Sequence, residues 1–126
     1  MTAGRRRILF VDNRPEYMHQ PVLRLRLEGY DVDEATSGDD ALDALRGSGY
    51  DLLILDAELP DSDGWEVLRS VRDDPELEGQ KVIVLMAEQG ETGKLVLVPV
   101  DAELRRPFNM AQLVETVQRV LGEEPA

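Results

Sequence analysis

The segment that decides the fold covers residues 52–65 and reads LLILDAELPDSDGW. Its first four residues are all aliphatic, which is typical of a parallel strand that is buried on both faces. The Leu-Pro and Asp-Gly pairs that follow predict a turn before a helix. Asp56 therefore stands at the carboxyl end of a buried strand, where open α/β sheets bind their ligands. We interpret Asp56 as the candidate reactive group.

Strand and helix patterns alternate along the rest of the chain, which favours a parallel sheet with helices on both faces. Further strands are predicted at 8–11, 30–35 and 82–86, and a last strand leads through Leu104 to Arg106. Residues 88–100 leave two alternatives open, because two glycines weaken a helix while the run at 95–98 favours a strand.

Helix ends can also be predicted. Pro15 suits a first helical turn, but Pro21 six residues later predicts that the first helix is bent or starts late. Gly29 is expected to end that helix. Ser37 and Asn109 are predicted N-caps, because their side chains can accept hydrogen bonds from the first free backbone N–H groups.

Composition limits the possible functions. The 126 residues are expected to form one domain over 5–122. The formal charge of −12 and the pI near 4.4 disfavour nucleic acids and anionic membranes as partners and favour proteins. The chain has no cysteine, which excludes disulfides and thiolate chemistry. No apolar run approaches the length of a signal-peptide core or a membrane span, so we expect a soluble, cytoplasmic protein.

The segment around Asp56 resembles the phosphoacceptor segment of bacterial response-regulator receiver domains, in which an aspartate at the end of the third strand is followed by Leu-Pro and Asp-Gly. The resemblance extends from Ile8 to about Leu121. It implies a flavodoxin-like, doubly wound α/β/α fold with five parallel strands in the order 2-1-3-4-5 and about five helices. It also implies that Asp56 accepts a phosphoryl group from a histidine kinase and loses it by hydrolysis.

The same resemblance implies a magnesium site formed by Asp12, Asn13, Asp56 and the backbone carbonyl of Glu58. Magnesium prefers oxygen ligands and neutralises phosphoryl charge. Receiver domains carry two acidic residues where this chain has Asp12 and Asn13. Because the amide of Asn13 brings no charge, we expect weakened magnesium binding.

Three further positions depart from the family pattern. Met86 replaces the switch Thr or Ser, and a thioether cannot donate a hydrogen bond. Glu103 replaces the aromatic switch residue. Arg106 replaces the phosphoryl-contacting lysine and can clamp a carboxylate with two hydrogen bonds. We hypothesise that Arg106, together with Arg14, pairs with Asp56 and partly replaces magnesium.

Two functions remain open from the sequence. The first is a two-component receiver that is phosphorylated on Asp56 and has impaired or unconventional switching. The second is a phosphorylation-independent pseudo-receiver that acts as a protein-interaction module. Neither implies conventional enzyme activity beyond self-phosphorylation and dephosphorylation at Asp56. The expected partner is a histidine kinase or another signalling protein, and the family pattern predicts a homodimer through the last helix and strand.

Overall fold

The computed structural model describes residues 5–57, 64–86 and 98–123. The strands are β1 (Arg7–Val11), β2 (Asp31–Ala35), β3 (Leu52–Asp56), β4 (Val82–Met86) and β5 (Ala102–Arg105). The helices found in these ranges are α1 (Pro15–Leu27), α2 (Gly38–Gly47), α3 (Gly64–Asp73) and α4 (Met110–Leu121). All strand pairs are parallel and the strand order is β2-β1-β3-β4-β5, so the predicted flavodoxin-like topology is confirmed.

The sheet is covered on both faces. Strands β3 and β4 are buried at every position, as their continuous aliphatic runs predict. Alternate strand residues point to opposite sides, so Leu53 and Val84 join a core cluster under α2 and α3. Ile54 and Ile83 join a second cluster under α1 and α4. This arrangement gives the three layers expected of a doubly wound fold.

Helix α1 begins at the first of its two prolines. It starts at Pro15 directly after Arg14, so of the two predicted alternatives, a bent helix or a late start, the late start is wrong. Pro15 occupies a first-turn position, where a missing N–H costs nothing and the fixed φ suits a helix. Pro21 lies inside the helix, which is held to the sheet by the buried side chains of Val22 and Leu25.

The predicted helix ends agree with the structure. Ser37 accepts a hydrogen bond from the backbone N–H of Asp40 at 3.1 Å. Asn109 forms a reciprocal capping box with Gln112, with hydrogen bonds of 2.7 and 2.9 Å. Gly29 follows α1 with φ +101°, a conformation that side chains rarely tolerate.

Two predicted features lie outside the described residues. One is the segment that left a helix and a strand open, of which residues 87–97 are not described. The other is the turn after β3, residues 58–63, which includes Glu58. The structure therefore tests neither of these predictions.

Candidate functional site

Strand register brings two carboxylates together. Val11 lies opposite Leu55, so Asp12 and Asp56 leave neighbouring strands at the same edge of the sheet. The exposed fractions of these residues are 0% for Asp12 and 1% for Asp56. Two buried carboxylates at the carboxyl ends of adjacent parallel strands form the centre of the site that the sequence predicts.

Gly64 lets helix α3 start close to this centre. A Cβ atom at this position would overlap the carbonyl oxygen of Asp56 and the backbone of Ala57. The Gly64 N–H also donates a hydrogen bond to the Ala57 carbonyl at 3.1 Å. Gly64 thus has a steric reason to be glycine, since only glycine fits beside the end of β3.

Two arginines neutralise the carboxylates. Arg14 Nη2 donates to Asp56 Oδ2 at 2.9 Å, and Arg14 Nε lies 3.7 Å from Asp12 Oδ1. Arg106 Nη2 donates to Asp12 Oδ2 at 2.8 Å and lies 3.9 Å from Asp56 Oδ2. Each guanidinium group therefore spans both carboxylates, and the four charges form one network.

This network differs in one respect from the sequence-based hypothesis. Of the two arginines, Arg14 lies closer to Asp56, whereas Arg106 lies closer to Asp12. Backbone contacts explain the exchange. The Arg14 N–H donates to Asp12 Oδ1 at 3.0 Å, which fixes the start of α1 over the pocket. The Arg106 N–H donates to the carbonyl of Met86 at 2.9 Å, which holds the backbone of Arg106 at the end of β4, from where its side chain reaches Asp12.

Burial dominates the electrostatics of Asp12. Desolvation, followed by the charge of Asp56, raises the pKa of the Asp12 carboxyl from 3.8 to about 6. The backbone N–H of Arg14 and the guanidinium of Arg106 act in the opposite direction but offset only part of the rise. The ionised form of Asp12 is consequently destabilised in the folded protein, mainly because its charge is removed from water.

Arg106 has a spare donor. Its side chain is 17% exposed, and its Nη1 atom is buried with no hydrogen-bond partner among the residues that the structure describes. A buried donor without a partner costs about 1–3 kcal/mol. An additional oxygen in the pocket would relieve that cost.

Tyr17 belongs to the same arrangement, although the sequence analysis did not select it. The centroid of its ring lies 4.7 Å from Arg14 Cζ and 5.5 Å from Arg106 Cζ. The available signal was local, because residues three apart on a helix are neighbours and Arg14 immediately precedes α1. The contact with Arg106 depends on the fold and has no local signal.

The remaining predicted positions are distributed around this centre. Met86 ends β4 and is 2% exposed, so its thioether is buried at the end of that strand. Asn13 lies in the loop after β1 and is half-buried, while Glu103 is exposed on β5. The peptide bond between Arg106 and Pro107 is cis.

The donor set partly fits magnesium. The carboxylates of Asp12 and Asp56 are the oxygen ligands that magnesium prefers, and the side-chain oxygen of Asn13 would add a third. Among the described residues, no group of three or more His, Cys, Asp or Glu side chains could hold a metal ion. Both carboxylates already bond to guanidinium groups, so these residues could hold magnesium only in competition with Arg14 and Arg106.

A family model for the response regulator receiver domain matches residues 8–118. The chain belongs to this family. As a receiver domain, it is a module of two-component signalling. Receiver domains typically bind magnesium and interact with histidine kinases and other signalling proteins. Among the described residues, no helix has both the length and the apolar composition required to cross a membrane.

Solved structures agree with this assignment. A crystal structure assigned as a response regulator from Chloroflexus aurantiacus is 29% identical, with a TM-score of 0.88 over 95% of this chain and 100% of that chain. The chemotaxis protein CheY4 of Vibrio cholerae is 25% identical, with a TM-score of 0.85 over 93% and 99% of the two chains. The receiver domain of a sensor histidine kinase from Pseudomonas aeruginosa is 27% identical, with a TM-score of 0.85 over 96% and 100%, and holds magnesium in its active-site cleft.

Proposed function

We propose that this receiver accepts a phosphoryl group on Asp56 and that Arg14 and Arg106 supply part of the positive charge that magnesium otherwise provides. The observation that carries the proposal is the pair of short ion contacts, 2.9 Å from Arg14 to Asp56 and 2.8 Å from Arg106 to Asp12. Charge-assisted hydrogen bonds of this length are among the stronger ones in proteins.

The chemistry requires an oxygen of the Asp56 carboxylate to attack phosphorus. A new O–P bond forms while the bond from phosphorus to the donor breaks, and the donor leaves with the electron pair. The product is an acyl phosphate that carries more negative charge than the carboxylate. Magnesium, when bound, supplies charge neutralisation for this group.

The arginines support this chemistry from within the chain. Arg14 contacts the acceptor carboxylate directly, and its guanidinium group can bond phosphoryl oxygens as well as carboxylate oxygens. The buried Nη1 atom of Arg106 offers a further donor, on a guanidinium group whose Nη2 atom lies 3.9 Å from Asp56. The arginines also hold the carboxylate in the resting state, so we propose that phosphorylation is slower and less dependent on magnesium than the family pattern predicts.

Switching in this receiver is proposed to be unconventional. Met86 cannot donate the hydrogen bond by which a Thr or Ser would follow the phosphoryl group, and Glu103 offers no aromatic ring. Within the described ranges, the two guanidinium groups are placed to respond to added charge on Asp56. We place the response at the start of α1 and at the loop after β5, where these arginines are anchored.

The alternative is a phosphorylation-independent pseudo-receiver that binds other signalling proteins. Its specific support is that Asp56 is 1% exposed and is already ion-paired without phosphate. In either case a histidine kinase or another signalling protein is the proposed partner. Homodimerisation through the last helix and strand and domain limits of 5–122 remain predictions.

The deciding experiment is incubation with acetyl phosphate over a range of magnesium concentrations, followed by intact-mass measurement. The matched control is Asp56→Asn, which keeps the shape of the side chain and removes the nucleophile. We expect the parent chain to gain one phosphoryl group, with only weak dependence on magnesium, and the variant to gain none. No gain at any magnesium concentration would favour the pseudo-receiver.

A further inference from the structure

Tyr17 has an unusual position for a surface aromatic residue. Half of its surface is exposed, yet its ring contacts the two guanidinium groups that neutralise the buried carboxylates. Its neighbours on α1 provide no similar contact among the described residues. The half-exposed ring of Tyr17 is therefore in direct contact with the cations that pair with the buried carboxylates.

The ring joins two segments that are distant in sequence. Arg14 immediately precedes α1, whereas Arg106 follows β5 at the other end of the chain. Both Cζ atoms lie within 6 Å of the ring centroid, the range in which an aromatic face attracts a cation. Long arginine side chains lose much rotamer freedom on ordering, so a shared aromatic contact favours the ion-paired rotamers of both.

We propose that Tyr17 is a positioning residue that holds Arg14 and Arg106 against Asp56 and Asp12 and thereby disfavours magnesium at the carboxylates. The inference rests on the proposed function, in which the arginines take the place of part of the metal charge. Tyr17 lies outside the family's phosphoacceptor pattern. Loss of the ring frees the guanidinium groups to leave, and the carboxylates then become better metal ligands.

The test is a magnesium titration in which the fluorescence of Trp65 reports binding. This residue is the only tryptophan of the chain, is 7% exposed, and follows Gly64 directly beside the end of β3. Tyr17→Leu should tighten magnesium binding roughly two- to fivefold, the range that corresponds to an exposed cation–π contact. Tyr17→Phe retains the aromatic face and should bind magnesium as the parent chain does.

Two reference variants separate the possible outcomes. Arg14→Ala removes a competing cation and should tighten magnesium binding more than Tyr17→Leu does. Tyr50→Leu is the matched control, because Tyr50 stacks on Arg7 at 4.6 Å near the amino ends of the strands and should leave magnesium binding unchanged. An equal effect of Tyr50→Leu would mean that general loosening of the fold is responsible and would overturn the proposal.

The failure of this inference can be told apart from the failure of the proposed function. If Arg14→Ala tightens binding while Tyr17→Leu does not, Tyr17 has no positioning role but the arginines still oppose the metal. If neither variant changes binding, the arginines do not oppose the metal. Both the competition with magnesium and the positioning role of Tyr17 are then overturned. If Tyr17→Phe behaves like Tyr17→Leu, stacking is not the cause and the proposal is also overturned.

A second measurement requires no metal. The aromatic ring should shift the side-chain N–H proton resonances of Arg14 and Arg106 away from their ordinary positions in an NMR spectrum. The shift should persist in Tyr17→Phe and disappear in Tyr17→Leu. Ordinary resonances for both arginines in the parent chain would overturn the proposal even if magnesium binding proved too weak to measure.

Discussion

At the scale of single residues, Gly64 decides how closely α3 approaches Asp56. Gly64→Ala should lower the free energy of unfolding by about 1–3 kcal/mol, the usual cost of forcing extra volume into a packed site, because the added Cβ would overlap backbone atoms. Chemical denaturation followed by Trp65 fluorescence would measure the loss. Gly47→Ala is the matched control, since nothing lies within 4 Å of a Cβ there. Equal stabilities of the two variants would contradict the close approach.

Met86 allows a second prediction at this scale. Met86→Thr restores the hydroxyl of the family pattern but should lower the free energy of unfolding by about 1–3 kcal/mol, because a smaller, polar side chain replaces a fully buried one. Met86→Leu conserves volume and should cost less than about 1.5 kcal/mol. Thermal unfolding of both variants would check the order. A more stable Met86→Thr would show that the site favours a hydroxyl even without phosphate.

The sequence predicts individual residues unevenly, and the reason is physical. Asp12 and Asp56 stand at the ends of aliphatic strands, and parallel strands bring their carboxyl ends to one edge, so pattern places both residues at that edge. The adjacency of the two strands was implied by the family resemblance and is confirmed by the strand pairing. The pairing of Arg14 with Asp56 and of Arg106 with Asp12 depends on backbone anchoring that no local pattern encodes. Tyr17 was missed for the same reason, since one of its two arginine contacts is long-range.

At the scale of elements, the capping box at Asn109 fixes the start of α4. Asn109→Ala should lower the free energy of unfolding by about 1 kcal/mol, because the backbone N–H of Gln112 loses its side-chain acceptor. Asn109→Ser retains an acceptor and should recover most of the loss. Urea unfolding of the three proteins would measure both values. A tolerated alanine would mean that packing of α4 on the sheet outweighs its cap.

Elements were predictable where one kind of pattern dominated. The buried strands β3 and β4 follow from continuous aliphatic runs, and the predicted bounds of 82–86 agree with β4. Helix α1 was less predictable, since the interior Pro21 argued for a bent helix or a late start. Its local cost is outweighed by an apolar face that packs on the sheet, a tertiary effect that propensity does not include.

At the scale of the whole molecule, acidic charge and buried charge act together. The chain carries a formal charge of −12. Surface ion pairs such as Arg7 with Asp33 add little to the free energy of unfolding, because exposed pairs contribute roughly 0–1 kcal/mol each. The pocket differs because its carboxylates are buried. Protonation of Asp12, whose pKa is raised to about 6, should consequently stabilise the folded state as the pH falls.

The sign of this effect follows from where the proton binds. Above about pH 6, Asp12 is ionised in both the folded and the unfolded chain, and the folded state bears the cost of its buried charge. Between about pH 6 and pH 4, the folded chain takes up the proton first, so the cost disappears as the pH falls. From about pH 7.5 to pH 5, the parent chain should gain about 1 kcal/mol more stability than Asp12→Asn, which cannot titrate. Urea unfolding at both pH values measures the difference, and the carboxylates outside the pocket cancel in the comparison. Parallel pH profiles for the two proteins would show that the arginines, rather than burial, dominate the pKa of Asp12.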